Sequence, residues 1–100
     1  MKKQILQEKA NILSAELLIY NLDFNYKKYI DWAIMLLEQG YDSDSICILA
    51  GLDDDDHEVQ YKYFERSIEE LNIEIIRDDN ELIEYYAIYY KRYNFKYYKY

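Results

Sequence analysis

Side chains that could carry out catalysis are scarce in this sequence. It contains one histidine, His57, one cysteine, Cys47, and no glycine-rich segment of the kind that binds phosphate groups. Nucleophilic catalysis of the Ser–His or Cys–His type would have to use His57, and no serine lies in a nucleophile-elbow sequence. Because His57 falls on the apolar stripe of a predicted helix, we interpret it as a hydrogen-bonded histidine at the core boundary. We therefore predict that the chain is not an enzyme and uses no cofactor.

Metal ligands are suggested by the four consecutive aspartates Asp53–Asp56 directly before His57. Carboxylate oxygens are the ligands that Ca²⁺ prefers, and an EF-hand also needs glycine at position 6 and a carboxylate at position 12. Counted from Asp53, these positions hold Glu58 and Phe64, so the motif is absent. We predict no metal site and interpret the aspartates as a solvated loop whose charge stabilises the N-terminus of the next helix.

The cysteine and the N-terminal residues bear on where the protein resides. Cys47 lies in the apolar run Ile46–Ala50 and is predicted to be a buried thiol. A single cysteine cannot form an intramolecular disulfide, which fits a reducing, cytoplasmic setting. We also expect no signal peptide, because polar residues follow Lys2 and Lys3, and no transmembrane helix, because no apolar run approaches the required length.

Apolar residues spaced three and four apart predict five helices that would position these side chains. They span approximately residues 3–20, 26–39, 43–50, 55–71 and 79–97. Gly40 and Gly51 follow the second and third helices as terminators. Capping residues are predicted before the last three helices: Asp42 or Ser43, Asp55 with Glu58, and Asp78 with Glu81. Residues 72–77 are open to two interpretations, a short extended strand or a linker packed on the core.

The same spacing predicts which faces form the core. The third helix is expected to be the most buried, and Trp32 on the second helix only partly buried. The fourth helix is predicted to bury His57, Tyr61, Phe64, Ile68 and Leu71. The fifth is predicted to bury Leu82, Ile83, Tyr86, Ala87, Tyr89, Tyr90, Tyr93 and Tyr97, and to leave Tyr85, Ile88 and Phe95 among its charged residues.

Length and turn-forming residues determine the predicted fold class. The chain has 100 residues, of which 51% are hydrophobic, no proline and two glycines. A β-sandwich or barrel of this size would need many tight turns that these residues cannot make. No Gly-, Ser- or Pro-rich linker divides the chain. The prediction is a single all-α domain over residues 1–100, a compact bundle of about five helices with short loops.

Charge restricts the class of partner. The net charge is −8 and the pI is about 4.5, which argues against nucleic-acid and anionic-membrane binding. Residues 51–80 carry 11 acidic and 3 basic residues, whereas residues 81–100 carry 2 acidic and 4 basic residues. The acidity therefore belongs to one segment, which would attract a basic protein.

Aromatic residues outside the core stripes supply the other half of the predicted surface. The chain has 14 tyrosines, and tyrosine is favoured at interface hot spots. An A/T-rich genome would also enrich tyrosine, so compositional bias remains an alternative explanation. We predict that partner binding uses Asp53, Asp54, Asp55, Asp56, Glu58, Tyr63, Glu70, Tyr85, Ile88 and Phe95.

Residues 29–72 resemble a group of small helical bacterial proteins of uncharacterised activity. The shared pattern is Trp-Ala, Leu-Leu, Gly-Tyr-Asp-Ser-x-Ser and Ile-Leu-Ala-Gly-Leu, found here between Trp32 and Leu52. Some members look like immunity proteins encoded beside toxins. The resemblance implies an all-helical fold and suggests that role, and it carries no catalytic residues over to this chain.

These observations lead to one main hypothesis and two alternatives. The main hypothesis is an immunity-type protein that neutralises a bacterial toxin, for example a basic nuclease, by covering it with an acidic, Tyr-rich surface. The first alternative is a DNA-mimic inhibitor from a phage or mobile element. The second is a small homo-oligomeric structural module, with a homodimer formed through Tyr85, Ile88 and Phe95.

Overall fold

Five helices and their short connections make up the part of the chain that the structure describes. The computed structural model describes the backbone of residues 3–53 and 56–98, and the side chains of these residues up to position 92. The helices are α1 (Lys3–Tyr20), α2 (Lys27–Glu38), α3 (Asp44–Ala50), α4 (His57–Glu70) and α5 (Asp79–Tyr98). With no strand in these ranges, the predicted all-α bundle is confirmed. None of the described helices is both long enough and apolar enough to cross a membrane.

Three helices are followed by a residue with positive φ. Asn21, at φ 50°, follows α1 and begins a short 3-10 helix (Asn21–Asp23). Gly40, at φ 89°, follows α2, and the N–H of Tyr41 returns to the carbonyl of Leu36 at 3.0 Å. This hydrogen bond is the Schellman closure, which needs a residue that tolerates positive φ. Asn72, at φ 53°, ends α4 in the same way. The polypeptide therefore turns sharply after each helix, which brings α3 back against α2 and the 72–78 segment back toward α1.

Helix starts are stabilised by side chains close in sequence. The Ser43 hydroxyl accepts a hydrogen bond from the N–H of Ile46 at 3.2 Å, and the Asp78 carboxylate accepts one from the N–H of Glu81 at 2.9 Å. Both contacts confirm predicted caps, each of which satisfies a helix N–H that has no partner within its own helix. The predicted cap at Asp55 lies outside the described residues.

The core lies between α2, α3 and α4, and buried residues of α1 continue it. The ring of Phe64 contacts Tyr29 and Trp32, with centroids 4.6 and 4.9 Å apart. Trp32 is 4% exposed, so the prediction of partial burial was wrong. The indole closes the space between α2 and α4, and a residue at the edge of a helical stripe becomes core when a second helix packs over that edge. The buried cluster comprises Leu6, Ala10, Leu13, Phe24, Tyr29, Trp32, Ala33, Leu36, Ile46, Leu49, Phe64, Ile68 and Ile73.

The buried face of α4 differs from the predicted one. His57 and Tyr61 are exposed, whereas Gln60 and Ser67 are fully buried beside Phe64. Each of the two polar side chains makes a hydrogen bond, and the Oε1 of Gln60 has no partner among the described residues. The Gln60 amide donates to the carbonyl of Asp53 at 2.6 Å, and the Ser67 hydroxyl donates to a carbonyl of its own helix at 2.7 Å. The helix is therefore rotated relative to the stripe of its most apolar residues.

Helix α3 buries one side only. Ser45, Ile46 and Leu49 are buried, but Cys47 is exposed, which contradicts the predicted buried thiol. Helix α3 has seven residues and packs against α2 and α4, so its outward side faces solvent whatever its composition. Ile48, at 42% exposure, lies on the same outward side. Three of the seven residues of α3 are thus buried, a share close to that of α2, where five of twelve are buried, while Cys47 and Ile48 face outward.

Residues 72–77 form a packed linker and no strand, which resolves the two interpretations. Ile73 is buried in the core. The N–H of Ile76 donates to the buried Asn11 side chain at 2.9 Å, and the Gln7 amide donates to the carbonyl of Glu74 at 3.2 Å. The linker is therefore attached along α1.

Helix α5 packs against α1 alone among the described helices. Of its predicted apolar arc, Leu82 is buried, Tyr86 and Tyr89 are half-buried, and the remaining described members, Ile83, Ala87 and Tyr90, are exposed. The prediction was wrong for these three, because one neighbouring helix covers only one edge of a wide arc. The side chains of Tyr93 and Tyr97 lie outside the described residues.

Candidate functional site

The most uniform surface feature is a stretch of chain with no basic residue. Between Lys28 and Lys62 the sequence contains no lysine or arginine. We call residues 29–61 the acidic stretch; its acidic residues are Asp31, Glu38, Asp42, Asp44, Asp53, Asp54, Asp55, Asp56 and Glu58. Each of these that the structure describes is exposed. Asp54 and Asp55 lie outside the described residues.

No ion pair in the described part of the chain involves a carboxylate of the acidic stretch. Lys28 pairs with Glu16 at 2.6 Å and Arg77 pairs with Glu65 at 2.9 Å, and both carboxylates belong to residues outside the stretch. Each of these cations is therefore engaged by a carboxylate from outside the acidic stretch. The exposed carboxylates of the stretch therefore present their negative charge to solvent.

Packing of α3 determines how these carboxylates are distributed. Ser45, at the start of α3, contacts Glu70, at the end of α4, so the two helices run antiparallel. Asp42 and Asp44 therefore lie at one end of α3, and Asp53 lies beyond the other end. Seven residues of helix are about 10 Å long, close to one Debye length at physiological salt. The outward face of α3 lies between two negatively charged ends.

Apolar groups accompany these charges. Asp44, Cys47 and Ile48 share the outward face of α3 at spacings of three and four. Val59 near the start of α4 is 39% exposed. The sequence analysis did not predict the exposure of Ile48. The short length of α3 was the available signal, because a seven-residue helix with apolar residues on all sides leaves one side uncovered.

Glu70, a predicted binding residue, has a role within the chain. Its carboxylate accepts hydrogen bonds from the hydroxyl and the N–H of Ser45 at the first turn of α3. The hydrogen bond from the Ser45 hydroxyl holds the pKa of this carboxyl below its ordinary value. Glu70 thus joins the end of α4 to the start of α3, and its role toward a partner stays a prediction.

The other predicted binding residues fall into separate places. Asp53, Asp56 and Glu58 are exposed at the start of α4. Tyr63 is half-buried, and its ring contacts Lys62 and Arg66, with the cations 5.7 and 5.4 Å from the ring centroid. The environment of Tyr63 is therefore positive, in contrast to the acidic stretch.

Residues predicted on α5 are not brought to α3. Helix α5 contacts neither α3 nor α4 in the described part of the chain. Tyr85 is half-buried and hydrogen-bonded to Asn11, and desolvation, with the charge of Glu8, raises the pKa of its hydroxyl. It was predicted to lie on the charged face, and α1 covers it instead. Ile88 is 51% exposed, and the side chain of Phe95 lies outside the described residues.

The surroundings of His57 and Cys47 differ from those of a catalytic or metal site. The His57 ring stacks on Tyr26, with centroids 3.9 Å apart and planes within 5°. Desolvation and the neighbouring Asp42 carboxylate raise the pKa of the exposed Cys47 thiol, which lowers its thiolate fraction. Among the described residues, no three His, Cys, Asp or Glu side chains are placed to hold a metal ion.

An open groove of about 530 Å³ lies between α1, α2 and α5. It is lined by Ile5, Glu8, Lys9, Ile12, Leu13, Glu16, Lys28, Asp31, Trp32, Met35 and Tyr89. The Lys28–Glu16 ion pair occupies two of its charged groups. The buried indole N–H of Trp32 has no hydrogen-bond partner among the described residues. The groove has room for a small ligand, and its lining contains neither histidine nor cysteine.

Comparisons of the chain with protein-family models, with curated proteins and with solved structures find no match. The functional proposal accordingly depends on the chain's own residues.

Proposed function

We propose that this chain is an immunity-type protein of a bacterium. In the cytoplasm it binds a cognate toxin, a basic nuclease or similar enzyme, and blocks its active site without any chemical reaction. The observation that carries the proposal is the acidic stretch, whose described carboxylates are exposed and have no ion-pair partner among the described residues.

Charge supports this choice of partner. Enzymes that act on nucleic acids bind phosphate groups through clusters of lysine and arginine. Exposed carboxylates on both sides of α3 match such a cluster and would speed the encounter at low salt. Residues 29–61 supply nine carboxylates and no lysine or arginine, and the exposed ones at the two ends of α3 would face the cations of the partner.

Affinity would come from the apolar groups between the charges. Ile48 and Val59 are 42% and 39% exposed, and burying such side chains against a partner excludes water from nearby charge pairs. Tyr63, Glu70, Tyr85, Ile88 and Phe95 were predicted to contribute as well. The α5 residues would require a partner that reaches beyond α3.

A binding experiment with the product of the adjacent gene tests the proposal. Both proteins are co-expressed, purified, and titrated by calorimetry at about 50 mM and about 200 mM salt. The variant Asp53→Asn/Asp56→Asn/Glu58→Gln removes three charges of the acidic stretch. Its matched control, Glu69→Gln/Glu74→Gln/Glu81→Gln, removes three exposed carboxylates from other positions.

The first variant is expected to weaken binding about tenfold at low salt and much less at high salt, and the control by less than about threefold. Equal losses in the two variants would show that net charge alone matters. If the neighbouring gene encodes no toxin and its product does not bind, the immunity role is refuted. Competition by DNA for a host enzyme, with prophage genes as neighbours, would replace it with the DNA-mimic alternative.

A further inference from the structure

Helix α5 carries an apolar stripe that no part of the described chain covers. At 100° per residue, Ile83, Ala87 and Tyr90 fall within about 60° of each other on the helix surface. All three are exposed, with Ile83 at 44% and Tyr90 at 51%. We call these three residues the α5 stripe. Its residues lie next to the face that packs on α1, and not on the side of Ile88.

Contacts extend the α5 stripe toward α1. The ring of Tyr90 lies 5.7 Å from that of Tyr86, and Tyr86 is hydrogen-bonded to Tyr20 at the end of α1. Tyr20 is itself 45% exposed. Single exposed apolar residues are common on protein surfaces, but a continuous row from two helices marks an interaction site.

Charges beside the stripe identify its occupant. Glu84 and Lys91 are both exposed and lie within about 20° of each other on one flank of the stripe. They are seven residues apart, so Ala87 lies about midway between them. An antiparallel second copy of α5, related by a two-fold axis near Ala87, would place Glu84 opposite the partner's Lys91, and Lys91 opposite the partner's Glu84.

The same two-fold axis also pairs the apolar residues of the two copies. It places Ile83 opposite the partner's Tyr90, and the reciprocal pair follows by symmetry. The small side chain of Ala87 at the centre allows two helix axes to approach within the usual 8–10 Å. When two copies of the stripe run antiparallel, each charged residue meets an opposite charge and each apolar residue meets an apolar one. This self-complementarity fits a second copy of the same chain better than an unrelated helix.

We propose that the chain forms a homodimer through antiparallel packing of the α5 stripe of two copies. The interface differs from the one predicted from the sequence, since Tyr85 is half-buried against α1 and Ile88 lies on another side of α5. It also leaves the acidic stretch free, so dimer formation and toxin binding are separate claims.

Sedimentation of the full chain over a range of concentrations tests the dimer by charge reversal. Glu84→Lys alone and Lys91→Glu alone each convert both ion pairs into like-charge pairs, and each is expected to weaken the dimer about tenfold. An equimolar mixture of these two variants is expected to form a heterodimer of wild-type affinity, because every pair is then attractive. The double variant Glu84→Lys/Lys91→Glu is expected to recover the wild-type dimer.

Substitutions of the apolar residues test the stripe itself. Ile83→Ser and Tyr90→Ser are expected to abolish the dimer, and Ile88→Ser, on another side of the same helix, to leave it unchanged. Circular dichroism establishes that each variant retains its helix content. The proposal is overturned if the wild-type chain is a monomer at high micromolar concentration, if the charge-reversed mixture shows no recovery, or if Ile88→Ser disrupts the dimer as strongly as Ile83→Ser.

Discussion

Replacing Tyr29 with phenylalanine should stabilise this protein. Tyr29 is fully buried, and its hydroxyl has no hydrogen-bond partner among the described residues. Its ring packs against Phe24 and Phe64, with centroids 5.3 and 4.6 Å apart, and phenylalanine preserves those contacts. An unsatisfied buried polar group costs about 1–3 kcal/mol, and the small void left by the missing oxygen offsets part of the gain.

The net expectation for Tyr29→Phe is a gain of about 1 kcal/mol in the free energy of unfolding. For a domain of this size that corresponds to a Tm higher by about 4–8 °C. Urea unfolding followed by circular dichroism measures the gain, provided that the m-value is unchanged. Tyr61→Phe serves as the control, because Tyr61 is exposed and its substitution should change stability by less than about 0.5 kcal/mol.

Alkaline pH separates this explanation from a general packing effect. Burial raises the pKa of the Tyr29 hydroxyl above its ordinary value of 10.0, so the folded chain retains a proton that the unfolded chain releases. The wild-type protein therefore loses stability as the pH rises above 10, and Tyr29→Phe loses less. A Tyr29→Phe variant less stable than wild type at neutral pH would refute the reasoning, because the hydroxyl would then have a partner.

Three further substitutions test contacts that join the elements. Asn11→Ala removes the acceptor for the N–H of Ile76 and should lower the free energy of unfolding by about 1–3 kcal/mol in urea titrations. Glu70→Gln weakens the contact with Ser45. Folding lowers the pKa of Glu70 from 4.5, so its carboxylate stabilises the folded chain above that pH. This stabilisation disappears as the pH falls through the folded-state pKa. The difference in stability between Glu70→Gln and wild type, measured by thermal unfolding, should therefore vanish in acid. Gly40→Ala places a side chain at φ 89° and should lower Tm by an amount equivalent to about 1 kcal/mol, whereas Gly51→Ala, in ordinary backbone, should have a smaller effect.

Helix positions and ends could be predicted from the sequence because they depend on neighbours a few residues apart. The spacing of apolar residues located all five helices, and α1 begins and ends at the predicted residues. Ser43 and Asp78 were identified as caps from their positions before apolar runs. The acidity was also predictable from the sequence, because residues 29–61 contain nine carboxylates and no lysine or arginine.

Burial of particular side chains was decided by the tertiary structure, because it depends on which neighbouring element covers each face. His57 and Cys47 lie in apolar patterns but are exposed, since none of the described helices covers those sides of α4 and α3. Gln60 is polar but buried, since a carbonyl of the preceding loop lies within reach of its amide. The α5 stripe follows the same rule, because its apolar arc is wider than the single helix that packs against it. Sequence periodicity identifies the face of a helix that avoids water, and only the packing of the other helices determines how much of that face is covered.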